Sequence, residues 1–532
     1  MQTDPSSLLI KNARVLTLWP ERPRCDAILF EGGRVSWLGS SEMAPPASRT
    51  LDLRGRVVLP GLIDAHSHLY WLAQDRLHLN LAAQDIRNIS DLLETLRAEG
   101  SGKDDDEWVF AVGLNEMRLV ERRLPTRDDL DRVSKRRPIV LRRACGHAAV
   151  ANSAALEFAE IGDRSLDLPG GIIEREGDRP NGILREMAAE RVLRAAPVPP
   201  RDLMAASLRS VAEECLACGI TGVTEAAVGF TTSLSTEWSV WASLRQSGDF
   251  PLRMAFMLRP NAAEPVPPEV SRTGIDLTWQ VDTLKFFADG TIGNRSAAFS
   301  APYAGPSCAC GLLMHASGDF ASSVKDAVED GWNVAVHAIG DRAIDLCAQI
   351  FEQLRKMGAL TTRLRVEHLA MPSLAALRAL SQSKAIIVTQ PSFVRDLGDG
   401  FIGALGIDRA CKLYRGRSLL DHGLTVAASS DAPAASLSPF VGISAAMTRT
   451  TRGGWTLSAD ECLTAHEALL MYTSGAAESA GHGDTRGLLR PGAAADAIVV
   501  DTDPLESSPA QIAATNVEVV IIGGRVVYQS KR

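Results

Sequence analysis

Short apolar segments alternate with helical patterns through most of this chain, and their number limits the folds available to it. β-Branched and other apolar residues dominate each segment, and a stretch with helical periodicity follows most of them. This alternation is typical of parallel sheets built from βαβ units. Eight segments have this form: 62–68, 220–226, 252–258, 283–289, 333–339, 364–370, 385–391 and 425–431. Since eight parallel strands close into a barrel, we predict an α/β fold, a (β/α)₈ TIM-type barrel.

The two ends of the chain carry a different pattern. Residues 7–59 alternate apolar and polar side chains around a Gly-Gly turn, and two segments near the C-terminus repeat this pattern. A few strands alone are only marginally stable, so strands from one end gain stability by pairing with strands from the other. We therefore predict a small composite β-sandwich of residues 1–59 and 485–532, with the barrel between them at 60–484.

One connection is far longer than a barrel helix requires. Residues 70–218 separate the first two predicted barrel strands and contain the strand-like stretches WVFAVGL and RPIVLRRA. Connections that follow barrel strands form the walls of the pocket in barrel enzymes. We predict that 70–218 forms an inserted subdomain over the mouth of the barrel.

Composition excludes several classes of protein. The net charge of −8 offers no basic surface for nucleic acid or an anionic membrane. No basic segment followed by an apolar stretch begins the chain, and no uncharged apolar run reaches the roughly 18 residues of a membrane span. Nine cysteines, an odd number, suit a reducing compartment. We expect a cytoplasmic protein.

The first predicted strand carries closely spaced ionisable side chains. In GLIDAHSHL, Asp64, His66 and His68 lie two residues apart and so point to the same side of a strand. Two imidazoles with this spacing can bind one metal ion. The spacing alone is also typical of ordinary core or surface histidines. We expect Asp64, one step deeper, to support the ligands without binding the metal.

Further ionisable residues lie near the C-terminal ends of other predicted strands: Lys285, His337, His368 and Asp431. Each lies inside an apolar segment, where an unpaired charge is costly to bury. Barrel enzymes assemble their catalytic groups at this end of the strands. A single buried histidine is most often structural. Six ionisable residues on five predicted strands, however, predict one shared polar site: His66, His68, Lys285, His337, His368 and Asp431.

Several motifs make the chain resemble a known family. PGLIDAHSH, LKFFADGTIGNRSAA, VAVHAIGDRAI, RVEHLAM and SSDAP are similar to motifs of the amidohydrolase superfamily, in the same order. The similarity is greatest to the branch of N-substituted formamide deformylase and the YtcJ-like hydrolases. GLLRPGAAADAIVVD resembles the C-terminal sandwich of this superfamily. The resemblance covers residues 8–528.

The resemblance implies a metal site with one or two divalent ions. It assigns six ligands: His66, His68, Lys285, His337, His368 and Asp431. His66 and His68 would hold the more buried ion, which Asp431 would also contact. His337 and His368 would hold the second ion. Zinc suits imidazole and carboxylate ligands, although iron, manganese and nickel also bind them.

The resemblance also gives Lys285 a special role. Relatives often carry a carboxylated lysine at this position, and its carbamate bridges two metal ions. Carboxylation requires a neutral amine, and burial lowers the pKa of a lysine in that direction. In the alternative, Lys285 is unmodified, pairs with an acid or the substrate, and the site holds a single ion.

The implied activity is hydrolysis of a non-peptide amide-type C–N bond in an N-formyl, N-acyl or cyclic amide. A divalent ion lowers the pKa of its water to about 7, which provides hydroxide at neutral pH. Asp431 would be the general base. Alternatives are hydrolysis of an ester, lactone or carbamate, an isomerisation at the same site, or a binding protein without catalysis. Homo-oligomers are common among barrel enzymes, but the sequence reveals no interface.

Five further residues are candidates for contact with the substrate. His147 is either a neutral donor to a substrate oxygen or structural, and Asn152 could act beside it. Asn294 and Arg295 follow the fourth predicted strand, where Arg295 either holds a substrate carboxylate or pairs with an acid. Leu114 stands where close relatives usually have tryptophan, so we expect it to change the volume of the pocket.

Overall fold

The largest sheet of the molecule contains eight parallel strands, as predicted. The computed structural model describes residues 7–531 except 103, 145, 169, 261–264, 268–269, 274–275, 306–307 and 359–360. In chain order the strands are β1 (Leu62–Ser67), β2 (Ile220–Val228), β3 (Arg253–Leu258), β4 (Trp279–Phe287), β5 (Asn333–Ala338), β6 (Leu364–His368), β7 (Ile386–Thr389) and β8 (Thr425–Ala428). Each strand pairs with the next along the chain, which confirms the barrel fold.

The first and last strands are joined at the mouth of the barrel. The backbone N–H of Asp431 donates to the carbonyl of His66 at 2.9 Å, and that of His68 donates to the carbonyl of Ala432 at 2.9 Å. These bonds lie at or just beyond the C-terminal ends of β1 and β8. They hold the segment that follows β8 against the strand that carries two of the predicted ligands.

Unusual backbone conformations lie at or just beyond the ends of two strands. β6 ends at His368, whose φ is 74°, and Leu369 has a φ of 45°. β8 ends at Ala428, before the predicted 431, and Asp431 has a φ of 53°. Positive φ values lie outside the β region, so β6 does not run on to the predicted 370 and Asp431 is not part of β8. The local sequence shows no sign of these conformations.

Helices cover the outside of the barrel. Those outside the insertion are Leu69–Asp75, Arg201–Ala217, Leu234–Ser247, Ser317–Glu329, Asp341–Lys356, Leu374–Gln382, Pro391–Leu405, Ile407–Ala410, Gly416–Asp421, Pro439–Thr448, Ala465–Met471, Ser474–Ser479 and Pro509–Ala513. The helix Ala465–Met471 begins with a capping box of Thr464 and Glu467. No helix in the described part of the chain is long and apolar enough to cross a membrane.

Both ends of the chain contribute to the predicted β-sandwich. One sheet has four strands, in the order Arg34–Gly39, Ala27–Glu31, Leu8–Lys11 and Arg49–Asp52. The other has six strands, in the order Arg525–Gln529, Val517–Ile522, Ala497–Val500, Val57–Pro60, Arg14–Leu16 and Arg24–Cys25. Phe30, Val58 and Val499 belong to one apolar core between the sheets. A buried ion pair of Arg253 with Asp496, at 2.7 and 2.8 Å, joins this sandwich to β3.

The insertion after β1 has a sheet of its own. Its six strands lie in the order Gly171–Glu176, Arg179–Glu186, Ala148–Ala151, Ile139–Arg143, Val109–Leu114 and Leu79–Asn80. Its helices are Ile89–Gly100, Arg127–Asp131, Ser153–Phe158 and Met187–Ala195. The inserted part is narrower than the predicted 70–218, because residues of the helices 69–75 and 201–217 at its two ends pack into the main barrel core.

Candidate metal centre

Three predicted ligands from different barrel segments meet at the mouth of the barrel. One ring nitrogen of His66, one of His368 and one carboxylate oxygen of Asp431 lie within 4.8 Å of one another. Nε2 of His66 and Nε2 of His68 each lie 3.3 Å from Asp431 Oδ1. The ring of His337 lies 4.5 Å from the ring of His368. The fold therefore gathers these five predicted residues into one cluster.

Hydrogen-bond partners fix which nitrogen each imidazole offers. Nδ1 of His66 lies 2.5 Å from the Glu367 carboxylate, and Nδ1 of His368 lies 2.8 Å from Gln390 Oε1. Nε2 of His337 lies 3.1 Å from a backbone carbonyl oxygen. Each partner is an acceptor, so the facing nitrogen must carry the hydrogen. The other nitrogen of each ring, when that ring is neutral, has a lone pair for a metal ion.

Burial sets the charges of the cluster. It lowers the pKa of His68 to about 4 and that of His368 to about 3, and it holds the pKa of His337 well below its ordinary value. Burial alone would raise the pKa of Asp431, but the adjacent imidazoles of His66 and His68 hold it well below its ordinary value. Neutral imidazoles and an ionised carboxylate are the forms that bind metals.

Lys285 adds a buried amine from β4. Its Nζ has no hydrogen-bond partner among the described residues, and the same is true of Nε2 of His66. Burial lowers the pKa of Lys285 to about 8, although the carboxylates of Glu367 and Asp431 oppose this shift. Buried polar atoms without partners are rare in native proteins, and a bound ion is one explanation for them.

The donor set fits a divalent metal ion. Nε2 of His66, which has no hydrogen-bond partner among the described residues, lies 3.3 Å from Asp431 Oδ1. A divalent cation bound beside them would give both atoms a favourable contact. Imidazole nitrogens and carboxylate oxygens are common ligands of zinc.

Asp64 supports the cluster through hydrogen bonds to Ser430, next to Asp431 in the chain. Its Oδ2 accepts a hydrogen bond from the Ser430 hydroxyl at 2.5 Å, and its Oδ1 accepts one from the Ser430 backbone N–H at 3.0 Å. Burial raises the pKa of Asp64 to about 6. These bonds tie β1 to the segment that carries Asp431, which is a supporting role.

Sequence reasoning missed Glu367 and Arg365. Glu367 accepts from Nδ1 of His66, and it also receives two hydrogen bonds from the buried guanidinium of Arg365, at 2.9 and 3.2 Å. Burial would raise the pKa of Glu367, but Arg365 and His66 lower it far below its ordinary value. Two opposite charges two residues apart in the apolar strand LRVEH were the available signal.

We expect Glu367→Gln to weaken metal binding by about 10- to 100-fold, because the partner of a metal-binding histidine fixes its tautomer and orientation. A dissociation constant from competition with a chelator measures the effect. Glu352→Gln, on the exposed side of the helix Asp341–Lys356, is the control. Equal metal affinity in both variants would show that Glu367 does not orient His66.

The match to known proteins extends over almost the whole chain. A profile of the amidohydrolase family matches residues 49–528. The chain belongs to the amidohydrolase family. This confirms the predicted family and its enzyme class, a hydrolase acting on carbon–nitrogen bonds other than peptide bonds.

Individual relatives of this amidohydrolase match along their full length. YtcJ of Bacillus subtilis is 27% identical over 97% of this chain and 98% of its own. N-substituted formamide deformylase of Arthrobacter pascens is 29% identical over 99% of both chains. The crystal structure of a metal-dependent hydrolase from Pyrococcus furiosus has a TM-score of 0.73 and 25% identity, over 94% of this chain and 100% of that one.

His147 of the amidohydrolase lies at the edge of the cluster. The centre of its ring is 6.4 Å from that of His337 and 6.2 Å from that of Phe230. Its Nδ1 lies 2.8 Å from the carboxylate of Glu186. Since a carboxylate can only accept, Nδ1 carries a hydrogen. The two roles predicted for His147, a neutral donor to a substrate oxygen or a structural residue, stay predictions.

Asn294 and Arg295 follow β4 but have different environments. Asn294 is 4% exposed and its Nδ2 donates to Glu186 at 3.3 Å, so it supports that carboxylate. Arg295 is exposed and has a φ of 58°. Its contact with a substrate carboxylate stays a prediction.

Two predicted substrate contacts are corrected by the structure. Asn152 caps the helix Ser153–Phe158, and its side chain also binds backbone groups of the insertion through both its oxygen and its nitrogen. It lies at the opposite end of the strand Ala148–Ala151 from His147, about 16 Å away for an extended chain. Leu114 is 3% exposed and packs in the apolar core of the insertion, not in a pocket wall.

Proposed function

We propose that this amidohydrolase hydrolyses a small non-peptide amide, in the class of N-formyl, N-acyl or cyclic amides. The observation that carries the proposal is the buried cluster of His66, His368 and Asp431 beside the amine of Lys285, which has no hydrogen-bond partner in the described part of the chain. The relative named N-substituted formamide deformylase, which matches over the full length of the chain, supports an N-formyl substrate.

The proposed cofactor is one or two divalent ions, with zinc as the first choice. His66, His68 and Asp431 would hold one ion, and His337 and His368 the second. A carboxylated Lys285 would offer one oxygen to each ion. When bound, a divalent ion supplies hydroxide at neutral pH from a water whose pKa falls to about 7, and it polarises a carbonyl oxygen.

Asp431 is the proposed general base. It is ionised, and its Oδ1 lies 3.3 Å from both His66 Nε2 and His68 Nε2, where the reacting groups would meet. In this role it takes a proton from the attacking water and returns that proton to the departing nitrogen.

Aromatic side chains surround this position and limit the access of water. The ring of His68 lies 5.5 Å from Trp71 and 5.2 Å from Phe230, and the ring of His337 lies 5.3 Å from Phe287. Water exclusion strengthens the electrostatic contacts made inside such a site.

The test is a substrate panel run on the metal-loaded enzyme. Matched formamides, acetamides and cyclic amides are compared with esters of the same size, after chelation and again after zinc is returned. We expect amide hydrolysis that chelation abolishes and zinc restores. His368→Ala should lose it, whereas His466→Ala, at an exposed position, should keep it. Turnover of esters alone would refute the amide assignment.

A further inference from the structure

A layer of polar side chains lies at the N-terminal ends of the barrel strands, opposite the metal cluster. Arg253 begins β3, Arg363 immediately precedes β6, and Gly222 lies near the start of β2. Arg486 comes from the segment that follows the helix Ser474–Ser479. Its guanidinium packs against the backbone of β2, where a Cβ at Gly222 would come within 2.4 Å of Nη2. This basal layer lies where the barrel meets the sandwich.

The basal layer has more positive than negative side chains. Arg253 donates two hydrogen bonds to Asp496, at 2.7 and 2.8 Å, and Nε of Arg486 lies 3.4 Å from the same carboxylate. Arg363 forms an ion pair with Asp282. Three guanidiniums thus share two carboxylates. One positive charge of these five side chains is left without a balancing negative charge.

Buried nitrogen atoms of this layer have no hydrogen-bond partner among the described residues: Arg486 Nη2, Arg363 Nε and His482 Nδ1. Arg486 is 6% exposed and His482 is 3% exposed. The nitrogens of a guanidinium only donate, so each buried one needs an acceptor. Leaving a charged donor unpaired in the interior is costly. The basal layer therefore lacks an acceptor for its arginines.

His482 lies among the same arginines. The backbone N–H of Arg486 donates to the carbonyl of His482 at 2.9 Å. Its neighbour Gly481 packs against Arg363, since a Cβ there would lie 2.4 Å from Arg363 Nη1. Burial, and then the charges of Arg486 and Arg363, lower the pKa of His482 to about 4. The imidazole is therefore neutral at pH 7 and leaves the surplus charge of the layer unchanged.

We infer that the basal layer binds one monovalent inorganic anion, chloride, between Arg486, Arg363 and His482. A single negative charge balances the surplus arginine, and a spherical ion accepts from several N–H groups at once. Water accepts hydrogen bonds but would leave the charge unbalanced, and sulfate would bring one negative charge too many. Gln280 Oε1, an acceptor that also has no partner in the described part of the chain, suits a water molecule beside the ion.

The ion would join two parts of the molecule. Arg363 belongs to the barrel, whereas Arg486 comes from the segment that leads into the sandwich. In barrel enzymes this end of the strands serves stability, and catalysis takes place at the other end. An ion that binds only the folded chain stabilises it by mass action. The inference goes beyond the proposed function, because it needs neither the metal cluster nor an amide substrate.

The experiment measures the melting temperature of the full chain in sodium gluconate and after exchange into sodium chloride at the same ionic strength. Gluconate is too large for a buried site of this kind. We expect saturating chloride to raise the melting temperature by about 2–5 °C. Arg486→Gln should remove this response. Arg525→Gln, at an exposed position of the same sandwich, is the matched control and should keep it.

Bromide locates the ion without any variant. Anomalous diffraction from crystals grown in bromide should show one ion within hydrogen-bond distance of Arg486 Nη2. If Arg486→Gln does not fold, Arg363→Gln, at a partly exposed position, is the second variant and should also lose the chloride response.

Three outcomes would overturn the inference. The first is ordered water alone at this position, and the second is an equal chloride response in the wild type and the folded variant. The third is a bromide peak without any effect of chloride on the melting temperature, which would mean binding at crystal concentration only. None of these results bears on amide hydrolysis, so the inference and the proposed function can fail separately.

Discussion

Asp431→Asn is expected to lower kcat by about 10²- to 10⁴-fold, the usual contribution of a general base. Asparagine keeps the shape of the side chain and one oxygen that can contact a metal ion, but it cannot accept a proton. In the wild type Asp431 is held in its ionised form between His66 and His68. The measurement is kcat with the best amide substrate, together with elemental analysis of the bound metal.

The outcome of that substitution has three clear forms. Loss of turnover with full metal content supports the base role of Asp431. Loss of both metal and turnover would make Asp431 chiefly a ligand, and retained turnover would refute its role in proton transfer. Asp408→Asn, at an exposed position, controls for the change of charge.

Lys285→Ala is expected to lower kcat by more than 100-fold, since it removes a group that the proposed two-metal site needs on both ions. Whether native Lys285 is carboxylated is tested by adding small molecules that restore activity to the Lys285→Ala variant. A small carboxylate such as acetate should restore part of the activity if the native residue is a carbamate, because it returns the two oxygens. Methylamine should restore it if the native residue is an unmodified amine.

The pH dependence of Lys285 follows from its environment. Burial lowers its pKa to about 8, so the amine loses its proton as the pH rises through this value. About one tenth of the side chains are neutral at pH 7, far more than for an ordinary exposed lysine. Metal-free enzyme should therefore take up carbon dioxide more completely at pH 8 than at pH 6, measured by NMR with isotope-labelled bicarbonate.

Control measurements distinguish a specific role of Lys285 from a general effect of removing a lysine. Lys412→Ala, an exposed lysine, should keep its activity and should not respond to acetate. A labelled carbamate signal in the wild type that is absent from Lys285→Ala would identify the modified residue. Rescue by methylamine without a carbamate signal would favour the single-ion alternative.

Glu367 shows why one part of the site was harder to predict. In a strand, alternate side chains point to one side, and the sequence LRVEH allowed His368 to be predicted as a ligand. The positive φ of His368 breaks this alternation at the end of β6, so both Glu367 and His368 reach the cluster. From strand alternation alone, Glu367 is expected on the opposite side of the strand from His368.

In the insertion, too, the sequence predicted the strands but not the contacts of the polar side chains. Its strand-like stretches were visible in the sequence, and they correspond to Val109–Leu114 and Ile139–Arg143. The partners of its polar residues were not visible. Asn152 serves as a helix cap, a local role that a residue before a short helix commonly has, while Glu186 reaches across to the barrel.

The sequence by itself determined the eight-stranded barrel, the sandwich made from both ends, and the residues near the strand ends that gather in the candidate metal centre. Those features depend on local alternation of apolar residues and on the parallel direction of the strands, which brings their C-terminal ends together. Only the tertiary structure decided that Glu367 lies behind His66, 301 residues away, and that Glu186 holds His147, 39 residues away. Hydrogen bonds between such distant residues depend on backbone conformations and on how the insertion folds over the barrel, and no local pattern encodes either.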